Sequence, residues 1–183
     1  MQQRYSSIET ISSSFIFTSK GLGIEQVEKG VLWLKKPALM RWEYSYPEEK
    51  LFVADGKEGF LYEPEDRKVT VQSLTTEELL CTPLKFLFGA GDVEENFHIV
   101  PENEFRPTVE RSQVIRLIPK TESDYSFLVL EIDDESSDLV RLTFQDPGGD
   151  MREYVFADIK LDVKVDKKKF RFKPPDGVEV DRY

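Results

Sequence analysis

The sequence predicts a mainly β protein (α+β): a strongly curved antiparallel sheet, or incomplete barrel, with short helices as a lid over an apolar cavity. Segments rich in Val, Leu, Phe, Tyr and Trp recur along the chain, and turn signals about ten residues apart separate them, as in a meander. Apolar residues recur at helical spacing in only two segments of the sequence. An apolar sheet face needs a cover, and the two helical segments are the candidates for it.

The first element is predicted to be a short helix over residues 5–15, because apolar side chains recur there at close to helical spacing. These side chains are Tyr5, Ile8, Ile11 and Phe15. Strands follow it, and turn signals such as residues 21–23 (GLG) lie between them. The predicted strands are near residues 14–19, 27–36, 38–46, 50–55, 58–63 and 67–72.

A second helical pattern interrupts the meander. Thr75 is placed to cap a helix whose first turn carries Glu77 and Glu78. Pro83 divides the apolar run that follows into two short helices or one kinked helix, and residues 89–91 (GAG) end it. The apolar residues of this run are Leu79, Leu80, Leu84, Leu87 and Phe88.

Strands resume near residues 96–101, 113–119, 126–133, 138–146, 151–160 and 169–172. The sequence contains no internal repeat, low-complexity run or linker, which indicates a single domain over residues 1–183.

Strand alternation predicts which side chains share a face. Met40, Trp42 and Tyr44 alternate with Arg41 and Glu43. In the later strand, one face carries Val140, Leu142 and Phe144, and the other carries Arg141 and Thr143. We therefore expect an apolar inner face and a wet outer face.

Composition excludes several classes of protein. Hydrophobic residues make up 39% of the chain, too many for an intrinsically disordered protein. The balance of 25 basic and 35 acidic residues disfavours binding to nucleic acid. One cysteine cannot form an intrachain disulfide, and one histidine with one cysteine excludes most zinc sites. No run of apolar residues is long enough to span a bilayer as a helix.

Catalytic motifs are weak. A Ser-His-Asp triad would need His98, which lies in an ordinary strand pattern. The acidic run at residues 133–138 lacks the glycine and spacing of a calcium loop and indicates a hairpin turn. Cys81 lies in the apolar helical run, where we expect a small buried side chain. We therefore expect no enzyme activity, metal or cofactor.

A set of short motifs nevertheless occurs in a fixed order along nearly the whole chain. Residues 30–37 (GVLWLKKP) precede residues 40–44 (MRWEY), Pro47 and the Asp55-Gly56 pair. The later motifs are residues 82–84 (TPL) with Leu87, and residues 170–180 (FRFKPPDGVEV). Together they resemble the periplasmic outer-membrane lipoprotein carriers of the LolA type.

The resemblance implies an incomplete antiparallel barrel whose cavity holds the acyl chains of a lipoprotein. The cavity would be lined by Phe15, Phe17, Leu32, Leu34, Met40, Trp42, Tyr44, Leu128, Leu130, Leu142 and Phe144. The lid would consist of Leu79, Leu80, Leu84, Leu87 and Phe88. Lys36 occupies a turn position that is often Arg in the family and is tied to cargo hand-over, so release is expected to differ, because lysine has no bidentate fork.

The resemblance also implies partners and a location. An inner-membrane transporter would load the carrier, an outer-membrane receptor would unload it, and the monomeric protein would work in the periplasm as a mature form without its signal peptide. Two alternatives share the fold: a lipid-sensing regulatory domain and a carrier of free lipid or glycolipid. The enzyme alternative is a small hydrolase of apolar esters that depends on His98.

Overall fold

The computed structural model describes residues 2–76, 78, 83–89 and 92–183, and the side chains of these residues from residue 5 onward. Its strands are β1 (Thr10–Gly21), β2 (Ile24–Lys35), β3 (Leu39–Tyr46), β4 (Lys50–Ala54), β5 (Glu58–Glu63), β6 (Lys68–Ser73), β7 (Phe97–Pro101), β8 (Ser112–Pro119), β9 (Phe127–Asp133), β10 (Leu139–Gln145), β11 (Met151–Leu161) and β12 (Glu179–Arg182). The helices are α1 (Gln2–Ser7) and α2 (Val93–Asn96), and the 3-10 helices are η1 (Pro83–Phe88) and η2 (Lys167–Phe170).

All twelve strands belong to one open sheet, in the order β12-β6-β5-β4-β3-β2-β1-β11-β10-β9-β8-β7. Every pair is antiparallel except β12 with β6, so the sheet is two meanders joined where β1 pairs with β11. The predicted fold class is confirmed, with the sheet open rather than closed into a barrel. Strands β1 to β11 each fall on a predicted segment, and the turn after β1 has Leu22 and Gly23 at positive φ, as a tight hairpin requires.

The predicted N-terminal helix over residues 5–15 is wrong beyond its first turn. Helix α1 ends at Ser7 and β1 begins at Thr10. Ile11 and Phe15 fit a period of two as well as a helical period, and the β-branched residues Thr10, Ile11, Ile16 and Thr18 favour the strand.

The C-terminal segment also differs from the prediction. Residues 169–172 form no strand, and Lys167–Phe170 is a 3-10 helix capped by the Asp166 carboxylate. Strand β12 follows, and its parallel pairing with β6 was not predicted. The pairing is long-range, so no local turn signal announces it.

The capping prediction at Thr75 is confirmed. The Thr75 hydroxyl accepts a hydrogen bond from the backbone N–H of Glu78, and the Glu78 carboxylate accepts one from the backbone N–H of Thr75. This reciprocal pair is a capping box. The 3-10 helix η1 then begins at Pro83, where the sequence predicted a break. Residues 79–82, including Leu79, Leu80 and Cys81, lie outside the described residues.

Most buried apolar side chains lie on one side of the sheet, the core face, which carries Phe15, Leu32, Met40 and Leu142. The opposite side, the back face, was predicted to be wet, and this prediction is wrong at both ends of the sheet. At one end, Phe60, Val69 and Val71 form a second cluster beneath Phe172 and Val178 of the C-terminal segment.

At the other end, residues 102–111 cover the back face over a buried ion pair. Glu131 is fully buried, and its Oε2 lies 2.9 Å from Arg141 Nε. The Glu131 carboxylate also accepts hydrogen bonds from Thr108, Val109 and Ser112. Burial would raise the pKa of this carboxyl, but these hydrogen bonds outweigh burial and lower it.

Glu102 fixes the start of the same loop. Burial would raise the pKa of its carboxyl, but hydrogen bonds from Arg116 Nε and from the backbone N–H groups of Phe105 and Glu104 lower it to about 2. The folded state therefore favours the ionised carboxylate. Its contribution to stability is complete above the ordinary pKa of 4.5 and is lost as the pH falls toward 2.

We expect Glu102→Gln to lower the free energy of unfolding at neutral pH by about 1.5–3 kcal/mol, because it removes a charge-assisted hydrogen bond. The difference from the wild type should shrink as the pH falls through this window. Glu104→Gln is the control, because Glu104 binds the same Arg116 but its side chain is 78% exposed, against 1% for Glu102. Urea denaturation at several pH values tests this, and equal effects of the two variants would contradict it.

Candidate functional site

The core face carries every predicted cavity residue. Nine of them are buried: Phe15, Leu32, Leu34, Met40, Trp42, Leu128, Leu130, Leu142 and Phe144. Phe17 and Tyr44 are half-buried and pack against the same cluster. The strands β1, β2, β3, β9 and β10 position these side chains because alternation sends every second residue to this face.

One expected member of the core face is replaced. The pairing of β10 with β9 is irregular between Leu139 and Arg141, and Leu139, not Val140, joins the core. Two further aromatic residues, Tyr154 and Phe156 of β11, lie on this face and were not among the predicted cavity residues. Their alternation with Glu153 and Val155 was the available signal.

Aromatic rings occupy the middle of the core face. Ring centroids of Phe15 and Trp42 are 4.7 Å apart, and those of Trp42 and Tyr154 are 5.5 Å apart, both in edge contacts. Phe17 lies 4.6 Å from Tyr154. Burial raises the pKa of Tyr154 to about 12, and burial also raises the pKa of Tyr44. Both phenols are therefore neutral at physiological pH.

Gly30 makes the contact between Phe15 and Tyr44 possible. It pairs with Phe15 on one side and with Tyr44 on the other, and the two rings meet in an edge contact at 5.2 Å. A Cβ at this position would lie 2.0 Å from the carbonyl oxygen of Glu43 and 3.0 Å from the Phe15 ring. A larger residue would have to displace the β2–β3 pairing.

Two short segments cover the core face. Helix α1 contributes Tyr5, which is buried in the main cluster, and Ile8 follows it. From η1, Phe86, Leu87 and Phe88 are buried and Leu84 packs at the edge of the same cluster. Of the predicted lid, Leu84, Leu87 and Phe88 thus lie over the sheet, and Leu79 and Leu80 lie outside the described residues.

The two covering segments touch each other at Gly89. This glycine has a φ of +65°, and a Cβ there would lie 2.5 Å from the carbonyl carbon of Tyr5. Only a residue without a side chain allows this approach. Helix α1 and η1 consequently form one cover, which we call the lid.

Lys36 joins the lid to the sheet. Its Nζ atom donates hydrogen bonds to the carbonyl oxygens of Tyr5 and Ser6, both at 2.7 Å. These are carbonyls of the last turn of α1, where a cation also interacts favourably with the helix dipole. The predicted hand-over residue therefore makes a direct contact between the β2–β3 turn and the lid.

The lid fills the space above the core face. A void of about 10 Å³ remains beside Ile8, Leu34 and Leu87, and another of about 10 Å³ beside Tyr5 and Leu139. A groove of about 690 Å³ lies on the other side of the sheet, between the two covered ends of the back face. Ile16, Val31 and Val155 form part of its floor, and Ile16 is 41% exposed. A ligand on the core face would need the lid to move.

The remaining candidates are surface features. His98 is exposed on β7, the last strand of the sheet. The acidic run at 133–138 includes the β9–β10 turn, where the Asp133 carboxylate accepts hydrogen bonds from the backbone N–H groups of Glu135 and Ser136. Among the described residues, no cluster of His, Cys, Asp and Glu could hold a metal ion. No helix in the described ranges is long and apolar enough to cross a membrane.

The open sheet has an apolar face, and a short lid held by a few polar contacts covers it. These features define a class of protein that can conceal an apolar surface. The family model described as outer membrane lipoprotein carrier protein LolA matches residues 6–173. The chain belongs to this family, and the resemblance found in the sequence is confirmed.

Relatives with this description cover most of the chain. The outer-membrane lipoprotein carrier protein of Hahella chejuensis is 28% identical over 178 residues, which are 96% of this chain and 83% of that protein. The protein with the same description from Pseudomonas aeruginosa is 31% identical over 177 residues, which are 94% of this chain and 81% of that protein.

Solved structures share the fold at low sequence identity. An uncharacterized conserved protein from Thermus thermophilus matches with a TM-score of 0.62 and 12% identity, covering 100% of this chain and 95% of that one. The Mycobacterium tuberculosis lipoprotein LppX matches with a TM-score of 0.53 and 11% identity, covering 90% and 95%.

Neighbouring residues of β1 test which face is the core. We expect Phe15→Ala to lower the free energy of unfolding by about 3–5 kcal/mol, because it removes a buried ring from the aromatic centre. Ile16→Ala, on the back face, should cost less than about 1 kcal/mol. Urea denaturation of both variants measures this. A larger loss for Ile16→Ala would mean that the assignment of faces is inverted.

Proposed function

We propose that this protein is a periplasmic carrier that shields the acyl chains of lipoproteins on its core face and moves them from the inner to the outer membrane. The observation that carries the proposal is the lid: the short segments α1 and η1 conceal an apolar sheet face. The names of the relatives that match most of the chain support the same function.

In this proposal the lid and the acyl chain compete for one surface. The cargo must offer as much apolar burial as the lid gives up. At about 0.8 kcal/mol per buried methylene, ten methylenes would contribute roughly 8 kcal/mol. A differential affinity of about 5.5 kcal/mol already moves a two-state equilibrium from mostly closed to mostly open. One long acyl chain thus offers more than this differential, and this gain is set against the burial that the lid gives up.

Lys36 acts as the latch of the closed state. Its ammonium group binds two carbonyl oxygens of α1, and hydrogen bonds to a charged donor contribute about 1.5–3 kcal/mol. Closing the latch returns the lid to the sheet and favours release of the cargo. Lysine carries its charge on one compact ammonium group, whereas arginine would offer a planar guanidinium group with several hydrogen-bond donors.

The remaining parts of the proposal follow from the carrier role. Residues 1–183 act as one monomeric carrier unit without enzyme activity, metal or cofactor. An inner-membrane lipoprotein-releasing transporter loads it, and an outer-membrane receptor accepts the cargo. The exposed position of His98 supports the non-catalytic role, because general acid–base chemistry needs a histidine positioned against a bound substrate.

Locking the lid tests the proposed function. Leu34 of β2 and Leu87 of η1 line the same small void, so we expect cysteines introduced at both positions to form a disulfide that joins the lid to the sheet. Cys81→Ser in the same protein removes the native thiol. We expect the oxidised form to take up no lipoprotein and the reduced form of the same protein to load it, as measured by release of lipoprotein from inner-membrane vesicles. Equal loading by the two forms would contradict the proposal.

Removing the latch should separate loading from hand-over. We expect Lys36→Leu to load lipoprotein at least as well as the wild type, because the closed state loses two hydrogen bonds to a charged donor. Transfer to the receptor should fall by about tenfold or more, since about 1.4 kcal/mol corresponds to a factor of ten. Lys35→Leu is the matched control, because Lys35 ends β2 and is adjacent in sequence. Unchanged transfer in a two-step assay would rule out a latch at Lys36.

A further inference from the structure

Beside the lid, strands β10 and β11 are unpaired along part of their length, and we call this gap the seam. The pairing of β10 with β11 ends at Arg141 and Val155, whereas β11 continues along β1 as far as Leu161. Within the described strands, no pairing joins Leu139 to β11. The residues of β11 in this stretch diverge from β10, and Asp158 has a φ of +53°.

Tyr5 of the lid closes this seam. The backbone N–H of Leu139 donates a hydrogen bond of 2.9 Å to the Tyr5 hydroxyl oxygen, and both residues are buried. The two side chains also line a small void together with Ile159 of β11. A hydroxyl oxygen from the lid thus occupies the position of the carbonyl that an adjacent strand would supply.

Loss of the hydrogen bond between Leu139 and Tyr5 would destabilise the open state. When α1 leaves, the N–H of Leu139 loses its acceptor within an apolar surface, and an unsatisfied buried donor costs about 1–3 kcal/mol. A bare hydrocarbon chain cannot supply an acceptor. A ligand with a carbonyl oxygen at the head of its chain can.

The position of Leu139 suits such a head group. It begins β10, three residues after the end of the turn at residues 134–136, in which Asp134 and Glu135 are exposed. From Leu139 the core face runs along β10 past Leu142 to Phe144, a distance of about 17 Å at ~3.3 Å per residue. A chain whose polar head lies at Leu139 can therefore extend along apolar side chains while its attached polypeptide stays near the surface.

We propose that the backbone N–H of Leu139, freed when Tyr5 leaves, binds the carbonyl oxygen of the ester or amide that joins an acyl chain to its cargo. This inference rests on the proposed carrier function and specifies the ligand class: acyl groups rather than alkyl groups. Tyr5 holds the same donor in the closed state, so lid and cargo exchange one hydrogen bond as well as one apolar surface.

Two lipids that differ only in this carbonyl test the inference. Palmitoylglycerol carries an ester, and hexadecylglycerol carries an ether without a carbonyl. We expect the wild-type protein to bind the ester about threefold to tenfold more tightly, the equivalent of one net hydrogen bond. NMR of the isotopically labelled protein should show a downfield shift of the Leu139 amide proton with the ester and a smaller change with the ether.

Variants at two tyrosines complete the test. Tyr5→Phe leaves Leu139 without its acceptor in the closed state, so both lipids should bind about tenfold more tightly while the preference for the ester remains. Tyr62→Phe, which changes a half-buried tyrosine of the back-face cluster beside Phe172, is the matched control and should leave both affinities unchanged. Equal binding of ester and ether would overturn the inference and leave the carrier function standing. Failure of the wild-type protein to bind either lipid would overturn the carrier function itself.

Discussion

The structure depends on one constraint: a twelve-stranded open sheet presents an apolar face that its own short helices must cover. The aromatic centre of this face is packed ring against ring, and in the described part of the chain the lid consists of α1 and η1. Because α1 and η1 are too short to be stable helices by themselves, they depend on the sheet for their stability. A lid that left the sheet would therefore lose its helical order together with its apolar burial.

Other segments of the chain cover the two ends of the back face. The C-terminal segment covers one end through Phe172, and residues 102–111 cover the other end through the ion pair of Glu131 and Arg141. A buried ion pair is strongly destabilising to break, about 3–5 kcal/mol for loss of one partner. These two covers hold both ends of the back face. The lid, by contrast, is joined to the sheet by apolar burial, by two hydrogen bonds from Lys36 and by one from Leu139.

The sequence predicted the strands well, because turn residues and alternation are local signals. Met40, Trp42 and Tyr44 fell on the correct face for this reason. Local signals failed where a residue fitted two periods, as Ile11 and Phe15 did. They also failed where the outcome depended on distant pairing. The contact of β12 with β6, the irregularity at Leu139 and the burial of Glu131 each require residues far apart in the chain, and Tyr5 acquires its partner 134 positions away.

The central claim is that acyl chains occupy the core face and not the groove on the back face. A photoreactive amino acid placed at Phe144 on the core face, and in a second protein at Ile16 on the back face, tests this directly. Each protein is loaded with a lipoprotein that carries radiolabelled acyl chains and is then irradiated. We expect labelled adducts from position 144 and none above background from position 16. Adducts from position 16 alone would contradict it and would place the cargo in the groove of about 690 Å³.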